Sequence, residues 1–246
     1  MSGLWHDAFY RFVPIVDPDR LVTILTERLR GAGVLGTVLV AEEGINAMLA
    51  GGDAQLEEAR RSFEVEGFTG LRFQRTPCRT KPFRHLKVKR KRELVPLGIP
   101  GVKVFRSSVV DLSPHEWRKL IKHPDTVLID NRNHFEVQLG HFKGAIDPGV
   151  QNFREFAEYA RARFVEWRGK NVAMYCTGGI RCQKAGAWLS EEGLRVYQLD
   201  GGILNYFAQV EDAGNDFEGE CFVFDARFAL GSDLHEVGGL SATEPG

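Results

Sequence analysis

Cysteine is scarce in this chain: Cys78, Cys176, Cys182 and Cys221 are the four in 246 residues. There is no Cys-x-x-Cys and no Cys/His cluster at metal-ligand spacing, so neither a disulfide scaffold nor a structural zinc is expected. Long apolar runs are also missing. Near the N-terminus the longest uncharged stretch runs from Gly31 to Ala41, about half the ~20 apolar residues that a membrane helix needs. The opening MSGLWHDAFYRF carries Asp7 and Arg11 and has no basic region ahead of an apolar run. No secretory signal is expected, and the cytoplasm is the expected compartment. Neither sign of charge is in excess: 32 Lys+Arg against 33 Asp+Glu leave a formal charge of −1. That balance excludes a chain that coats nucleic acid unselectively, so any nucleic-acid site must be local. Low-complexity sequence is nearly absent, there is no internal repeat, and 43% of residues are hydrophobic. A disordered or fibrous chain is excluded, and there is enough apolar material for a core.

The first hundred residues alternate strand-like and helix-like patterns. AFYRFV reads as a strand, and DPDRLVTILTERLRGAG opens on an Asp-Pro start signal, places Leu21, Ile24, Leu25 and Leu29 on one face, and closes on glycines. GTVLVAEEGINAMLAG reads as a hairpin, GDAQLEEARRSFE as a second helix capped near Asp53, and LRFQRT as a further strand. This β-α-β-β-α-β order predicts a ferredoxin-like (acylphosphatase-like) split βαβ sandwich over residues 5–95, an α+β domain. The Pro- and Gly-rich PLGIPG predicts a linker over 96–104. Beyond it, SPHEWRKLIKH reads as a helix with Ser113 and Pro114 at its start, and DTVLID as a strand ending on Asp130. A helix around Asn152 to Glu166, the strand NVAMY, a helix from Cys182 to Gly193 and the strand RVYQL follow. Strands separated by helices predict an α/β domain with a parallel sheet over 105–215. The remainder, 216–246, is a C-terminal segment whose Gly/Ser-rich tail from Leu230 is expected to be loose.

The sharpest chemical feature is NVAMY-CTGGIRC, an apolar strand running into a loop from Cys176 to Arg181 and then a helix. Gly178 and Gly179, with Thr177 and Ile180, let backbone N–H groups turn inward, and the helix adds the positive end of its dipole. An anion at the Cys176 sulfur, thiolate or persulfide, would be stabilised there. The alternative is a small apolar residue ending a buried strand. Four residues separate Cys176 from Arg181, one fewer than in the Cys-x5-Arg loop of cysteine phosphatases, and the smaller ring suits sulfur better than a phosphoryl group. This loop resembles that of rhodaneses. DNRNHFEVQLGHFKGAI, Asp130 to Ile146, and QLDGGILNY resemble other rhodanese signatures, so Asp130, Arg132 and Glu136 are read as buried scaffold rather than as direct participants. His134 and His141 are read as structural or surface residues. Cys182 stands either as a resolving thiol for Cys176 or as an inert packed thiol. Cys78 and Cys221 are read as buried or incidental.

RTKPFRHLKVKRKR is the second informative stretch. Eight of its fourteen residues are basic, namely Arg79, Lys81, Arg84, Lys87, Lys89, Arg90, Lys91 and Arg92, with no acid among them. The rest of the chain then carries 24 basic and 33 acidic residues, a balance of −9, so positive charge is segregated here. A stripe of this kind around Phe83 is the footprint expected for an RNA backbone, against the alternative of a solvated edge strand guarded by lysines.

Taken together, GTVLVAEEGINAMLAG, KRELVPLGIPG, DNRNHFE, CTGGIRCQKAGAWL and GECFVFDARF resemble the bacterial tRNA uridine hydroxylase family over about residues 8–230. Gln183 stands where many members have Glu. The resemblance implies oxygen-dependent 5-hydroxylation of the wobble uridine of tRNA, with tRNA docked on the basic stripe, Cys176 as the essential thiol and molecular oxygen as co-substrate. No flavin fingerprint, haem-type cysteine motif or 2-His-1-carboxylate spacing is present, so no bound cofactor or metal is expected. No obligate protein partner and no membrane partner are expected either. The residues themselves leave two other readings open: a sulfurtransferase carrying a persulfide on Cys176, and a noncatalytic RNA-binding module.

Overall fold

A computed structural model of the protein describes residues 3–106 and 108–237. The chain divides into two compact units, Met1–Leu94 with Val223–Gly246, and Val95–Phe222.

The first unit is built from β1 (Leu4–Phe12), α1 (Pro18–Ala32), β2 (Leu35–Ala41), β3 (Gly44–Gly51), α2 (Asp53–Val65), β4 (Gln74–Cys78) and β5 (Leu86–Arg90). Helix α1 starts where the sequence places it: the Asp17 carboxylate accepts from Arg20 N at 2.9 Å, and Pro18 fills a first-turn position that needs no donor. Its Leu21, Leu25 and Leu29 are buried with Phe63 of α2 against Val38, Val40, Ile45 and Leu49 of the sheet. The strand order is β4-β1-β3-β2-β5. The first four strands pair antiparallel in the ferredoxin-like manner, and β5 adds itself parallel to β2 at the outer edge. Strand β4 begins three residues later than the LRFQRT run. Leu71 and Phe73 of that run pack only partly against the core, and Pro77, which cannot donate to a ladder, is accommodated because β4 is also an edge.

The C-terminal segment returns to this unit. Arg227 is buried, holds the Asp225 carboxylate with Nε and Nη2 at 2.8 and 2.7 Å, and donates to Thr76 Oγ1 at 2.7 Å. The expectation of a loose tail from Leu230 is corrected for the residues described. Ala229 and Leu230 are buried, Leu230 bridges Glu236, and the Glu236 carboxylate accepts from Arg79 N and Thr80 N at 2.9 and 3.3 Å. Positions 238–246 of the expected tail lie outside the described residues.

The second unit comprises β6 (Val110–Leu112), α3 (Pro114–Leu120), β7 (Thr126–Asp130), α4 (His134–Leu139), β8 (Gly140–Phe142), α5 (Phe156–Arg161), α6 (Phe164–Trp167), β9 (Asn171–Tyr175), α7 (Ile180–Glu191), β10 (Arg195–Leu199), α8 (Gly202–Gln209) and β11 (Phe217–Gly219). Strands β6, β10, β9 and β7 form a parallel sheet in that order. The single helix expected around Asn152 to Glu166 is instead a 3-10 turn followed by α5 and α6, the bend allowing both Phe156 and Trp167 to be fully buried. The Pro/Gly stretch is not a free linker either. Leu97 is fully buried in the core of this unit beside Phe153, Phe156 and Val172, with Val95 and Ile99 packed partly against it. Its apolar residues outweigh the prolines and glycines around them. Among the described residues no helix is long and apolar enough to cross a membrane.

Candidate active site

Strand β9 delivers Cys176 to the carboxyl end of the parallel sheet, between β7 and β10, where loops of such sheets converge. Helix α7 begins at Ile180, two residues before the start expected from the sequence, so Arg181 and Cys182 belong to its first turn. Gly179 makes this possible by taking up φ +99°, a conformation that side-chain-bearing residues rarely adopt. The cradle is therefore a helix N-terminus closed tightly over the sulfur. Gly179 N donates to Cys176 Sγ at 3.1 Å, and the backbone amides of Arg181 and Cys182 and the Cys182 thiol donate to it as well.

Cys176 is 1% exposed, and burial alone would raise its pKa. The opposing donors and the Arg181 guanidinium win, holding the thiol at about 5 rather than the usual 9.0. Cys182 goes the other way: burial, and its hydrogen bond to Cys176, push its pKa well up. It faces Cys176 as a protonated donor. Ile180 is half-buried at the first position of α7, and Thr177 and Gly178 are half-buried before it.

Arg181 is buried, and its guanidinium grips the fully buried Glu136 through two hydrogen bonds of 2.6 and 2.8 Å while lying 3.4 Å from Thr177 Oγ1. Glu136 is therefore more than scaffold: it is the residue that orients Arg181. Burial would raise the Glu136 carboxyl, but Arg181 and the Asn133 amide hold it below the usual carboxylate range. Asp130 and Arg132 form a separate, fully buried pair at 2.8 and 2.5 Å, with Arg132 also donating to the Gly140 carbonyl at 2.5 Å. His134 pairs with Asp147 at 2.6 Å, and His141 Nδ1 meets the Val137 carbonyl. Cys221, read from the sequence as buried or incidental, is buried and lies here: its thiol hydrogen-bonds to Thr177, and burial pushes it up to about 12. Its position far along the chain gives no sign of this proximity. Among the described residues no group of three or more His, Cys, Asp and Glu side chains is arranged to hold a metal ion.

Gly202 is a site residue that the sequence marks only as part of a GG motif. It adopts φ +66°, and a Cβ there would lie 2.4 Å from the Cys176 carbonyl and 2.6 Å from that of Thr177. The close approach lets Ile203 N and Leu204 N of α8 donate to those carbonyls at 3.0 and 3.2 Å, fixing the loop from behind. Gly202→Ala should cost about 1–3 kcal/mol of stability and raise the pH at which the Cys176 thiol ionises, since the loop must shift. Denaturant unfolding and iodoacetamide labelling across pH check this; wild-type behaviour in both would refute it.

The eight basic residues, Arg79, Lys81, Arg84, Lys87, Lys89, Arg90, Lys91 and Arg92, are all exposed in the first unit. They do not form one unbroken stripe. Arg79 and Lys81 lie on the loop tied by Glu236, Lys87 and Lys89 project from β5 while Leu86 and Val88 pack partly on the core, and Arg90 pairs with Asp19 and with Glu42. The lysine-guarded edge strand is real, and it is the same surface that carries the charge. Phe83 stacks on the buried His6, with ring centroids 5.7 Å apart.

Comparison with known proteins places both units. Residues 6–94 match the model of the UPF0176 acylphosphatase like domain, and residues 113–209 match that of the rhodanese-like domain. A protein of Legionella pneumophila (strain Paris) named tRNA uridine(34) hydroxylase is 38% identical over 96% of this chain and 94% of its own. Proteins of the same name from Synechococcus elongatus and Acinetobacter baumannii (strain AYE) are 42% and 40% identical. They cover 92% and 93% of this chain, and 85% and 73% of their own.

Proposed function

The chain belongs to the tRNA uridine(34) hydroxylase family, and we propose on that premise that it replaces the C5 hydrogen of the wobble uridine of tRNA with a hydroxyl, using molecular oxygen as co-substrate. One oxygen atom enters the base and the other leaves as water, with two electrons and two protons from an external two-electron reductant. The observation that carries the reading is the intact Cys176 site inside a chain that is 38% identical over 96% of its length to a protein of that name: a buried thiolate held by the donors of α7 and by Arg181. Cys176 is the essential reactive group, and Thr177, Gly178, Gly179 and Ile180 form the turn that aims it. Arg181 supplies the fixed positive charge, positioned by Glu136. Cys182 acts here as a thiol donor that steadies the Cys176 thiolate. The reaction takes place in the cytoplasm, where tRNA is found.

The test is nucleoside mass spectrometry of tRNA from cells lacking this gene, complemented with the wild type. A uridine derivative heavier by one oxygen must vanish on deletion and return with the gene. An unchanged profile under aerobic growth, in cells with no second route to the same nucleoside, would remove the hydroxylase reading. The same cradle of donors would also hold a terminal persulfide sulfur, which favours sulfur transfer as the second reading. A donor-dependent persulfide on Cys176 formed without RNA, together with unchanged hydroxylation on deletion, is the result that would select it.

Docking of tRNA is assigned to the basic surface of β5 and its flanks. Lys87 and Lys89 are the residues to reverse, since Arg90 already has acidic partners. The double variant Lys87→Glu, Lys89→Glu should weaken tRNA binding, and the slope of log K against log salt should fall by about 0.7–0.9 for each phosphate that is no longer neutralised. Filter binding over a salt series reads both, and an unchanged slope would move the docking surface elsewhere.

A further inference from the structure

Phe105 and Phe135 are the aromatic side chains that the second unit leaves exposed among its described residues. Single exposed apolar residues are ordinary on protein surfaces; the placement of Phe135 is not. It sits on α4 directly before Glu136, the partner of Arg181, and is 45% exposed although Glu136 and Val137 after it are buried. Its ring is held edge-on by Phe222, at 5.0 Å between centroids and 84° between planes. The Phe222 carbonyl in turn meets the hydroxyl of Thr177 at 3.5 Å, one residue from Cys176. A fixed aromatic face thus stands beside the thiolate loop, tied to it through Thr177 on one side and through Glu136 and Arg181 on the other.

We propose that Phe135, braced by Phe222, is the stacking platform for the uracil ring of the nucleotide that reacts. The inference rests on the hydroxylation reading and names a residue that binds its substrate. Chemistry on a base requires the base to leave its neighbours and be held singly, and protein aromatic rings are the usual surface on which an unstacked base lies. Cys176, at 1% exposed, can be reached only by a reactant brought in at close range. A phosphate would call for uncommitted cations, whereas the residues on either side of Phe135 in the chain are already paired, His134 with Asp147 and Glu136 with Arg181. A flat uncharged heterocycle is the occupant that such a face suits. Phosphate contacts supply affinity without sequence information, and Phe135 supplies the grip on one base.

The test uses the full-length protein and a tRNA carrying 5-iodouridine at position 34, which crosslinks on irradiation to an aromatic ring stacked on it; the modified peptides are identified by mass spectrometry. The expected crosslink falls on the peptide containing Phe135 or that containing Phe222. Phe135→Ala should lower crosslink yield and the hydroxylated fraction of tRNA in complemented cells by about tenfold, and Phe135→Tyr should restore most of both. The residue is 45% exposed and its described ring contact is the one with Phe222. The alanine variant should therefore lose no more than about 0.5–1.5 kcal/mol of stability, about tenfold at most in the unfolding equilibrium, and keep the wild-type pH dependence of Cys176 labelling, which a structural role in the thiolate loop would disturb. A crosslink mapping to other peptides, or full yield in Phe135→Ala, overturns the platform. If the crosslink is found at Phe135 but deletion of the gene leaves the nucleosides unchanged, the platform stands and the hydroxylase reading falls. If the crosslink maps elsewhere while hydroxylation is intact, the platform falls and the hydroxylase reading stands.

Discussion

Cys176→Ser should reduce tRNA hydroxylation by about a thousandfold or more while tRNA binding stays within about twofold, because phosphate contacts dominate affinity. A serine hydroxyl fits the same space, yet none of the donors around it can make it an anion near neutral pH, since the alcohol ionises far above a thiol. The variant therefore separates chemistry from docking. Nucleoside mass spectrometry of complemented cells gives the first quantity and filter binding the second. A serine variant retaining a tenth or more of wild-type modification would mean that the thiolate is not the reactive group, and a variant that loses tRNA binding would mean that the substitution disturbed more than the sulfur.

The same residue predicts a pH signature. With its thiol held at about 5 against the usual 9.0, Cys176 is already a thiolate at neutral pH. Labelling by iodoacetamide should be flat above about pH 6 and fall on acidification through a midpoint near the folded-state value. Linkage gives the sign for stability: a group whose folded pKa is depressed stabilises the fold fully above its unfolded value and loses that contribution as pH falls through the folded one. Relative to Cys176→Ser, the wild type should thus gain stability as pH rises from 5 toward 9, measured by unfolding at several pH values. Cys182 and Cys221 should label far more slowly than Cys176 in the folded protein: all three are buried, but only Cys176 is held as a thiolate, the other two thiols being pushed upward.

What the sequence discloses about this site is what is local in the chain. The apolar run NVAMY, the two glycines and the following helix lie within a few residues of each other, so strand, turn and cradle can be read directly. Even there the helix starts two residues earlier than its pattern suggests, because Gly179 looks like loop and serves as the left-handed residue preceding the first turn. What closes the site comes from far along the chain. Glu136 lies 45 residues before Arg181, Gly202 enters from the end of β10, and Cys221 and Phe222 come from beyond α8. Such pairings depend on sheet order and side-chain direction, which periodicity does not encode. The basic stretch shows the same limit: its charge is plain, but the diversion of Arg90 to Asp19 and Glu42 follows from β5 being laid beside β2.

Glu136→Ala should be among the most destabilising single changes in the second unit, at about 3–5 kcal/mol. Glu136 is fully buried and Arg181 nearly so, and the two make a pair of charge-assisted hydrogen bonds at 2.6 and 2.8 Å. Removing the carboxylate leaves a buried guanidinium, which cannot shed its proton, with both of its hydrogen bonds to Glu136 unmade. The cost is that of a buried charge that has lost its carboxylate partner while keeping its electrostatic interaction with the Cys176 thiolate, and it need not equal the worth of the pair. The double variant Glu136→Ala, Arg181→Ala should therefore unfold at a higher urea concentration than Glu136→Ala alone, although it lacks one more interaction. Acid should act on the wild type in the same direction as the mutation. The Glu136 carboxyl is held below its usual range, so its contribution is present near neutrality and is lost as pH falls through the depressed value. Urea titrations of the wild type, Glu136→Ala, Arg181→Ala and the double variant, run near neutrality and in acid below the usual carboxylate range, give the full cycle. If the double variant proves no more stable than Glu136→Ala, the stranded charge is not the source of the loss, and the Arg181 side chain then holds the loop through its packing.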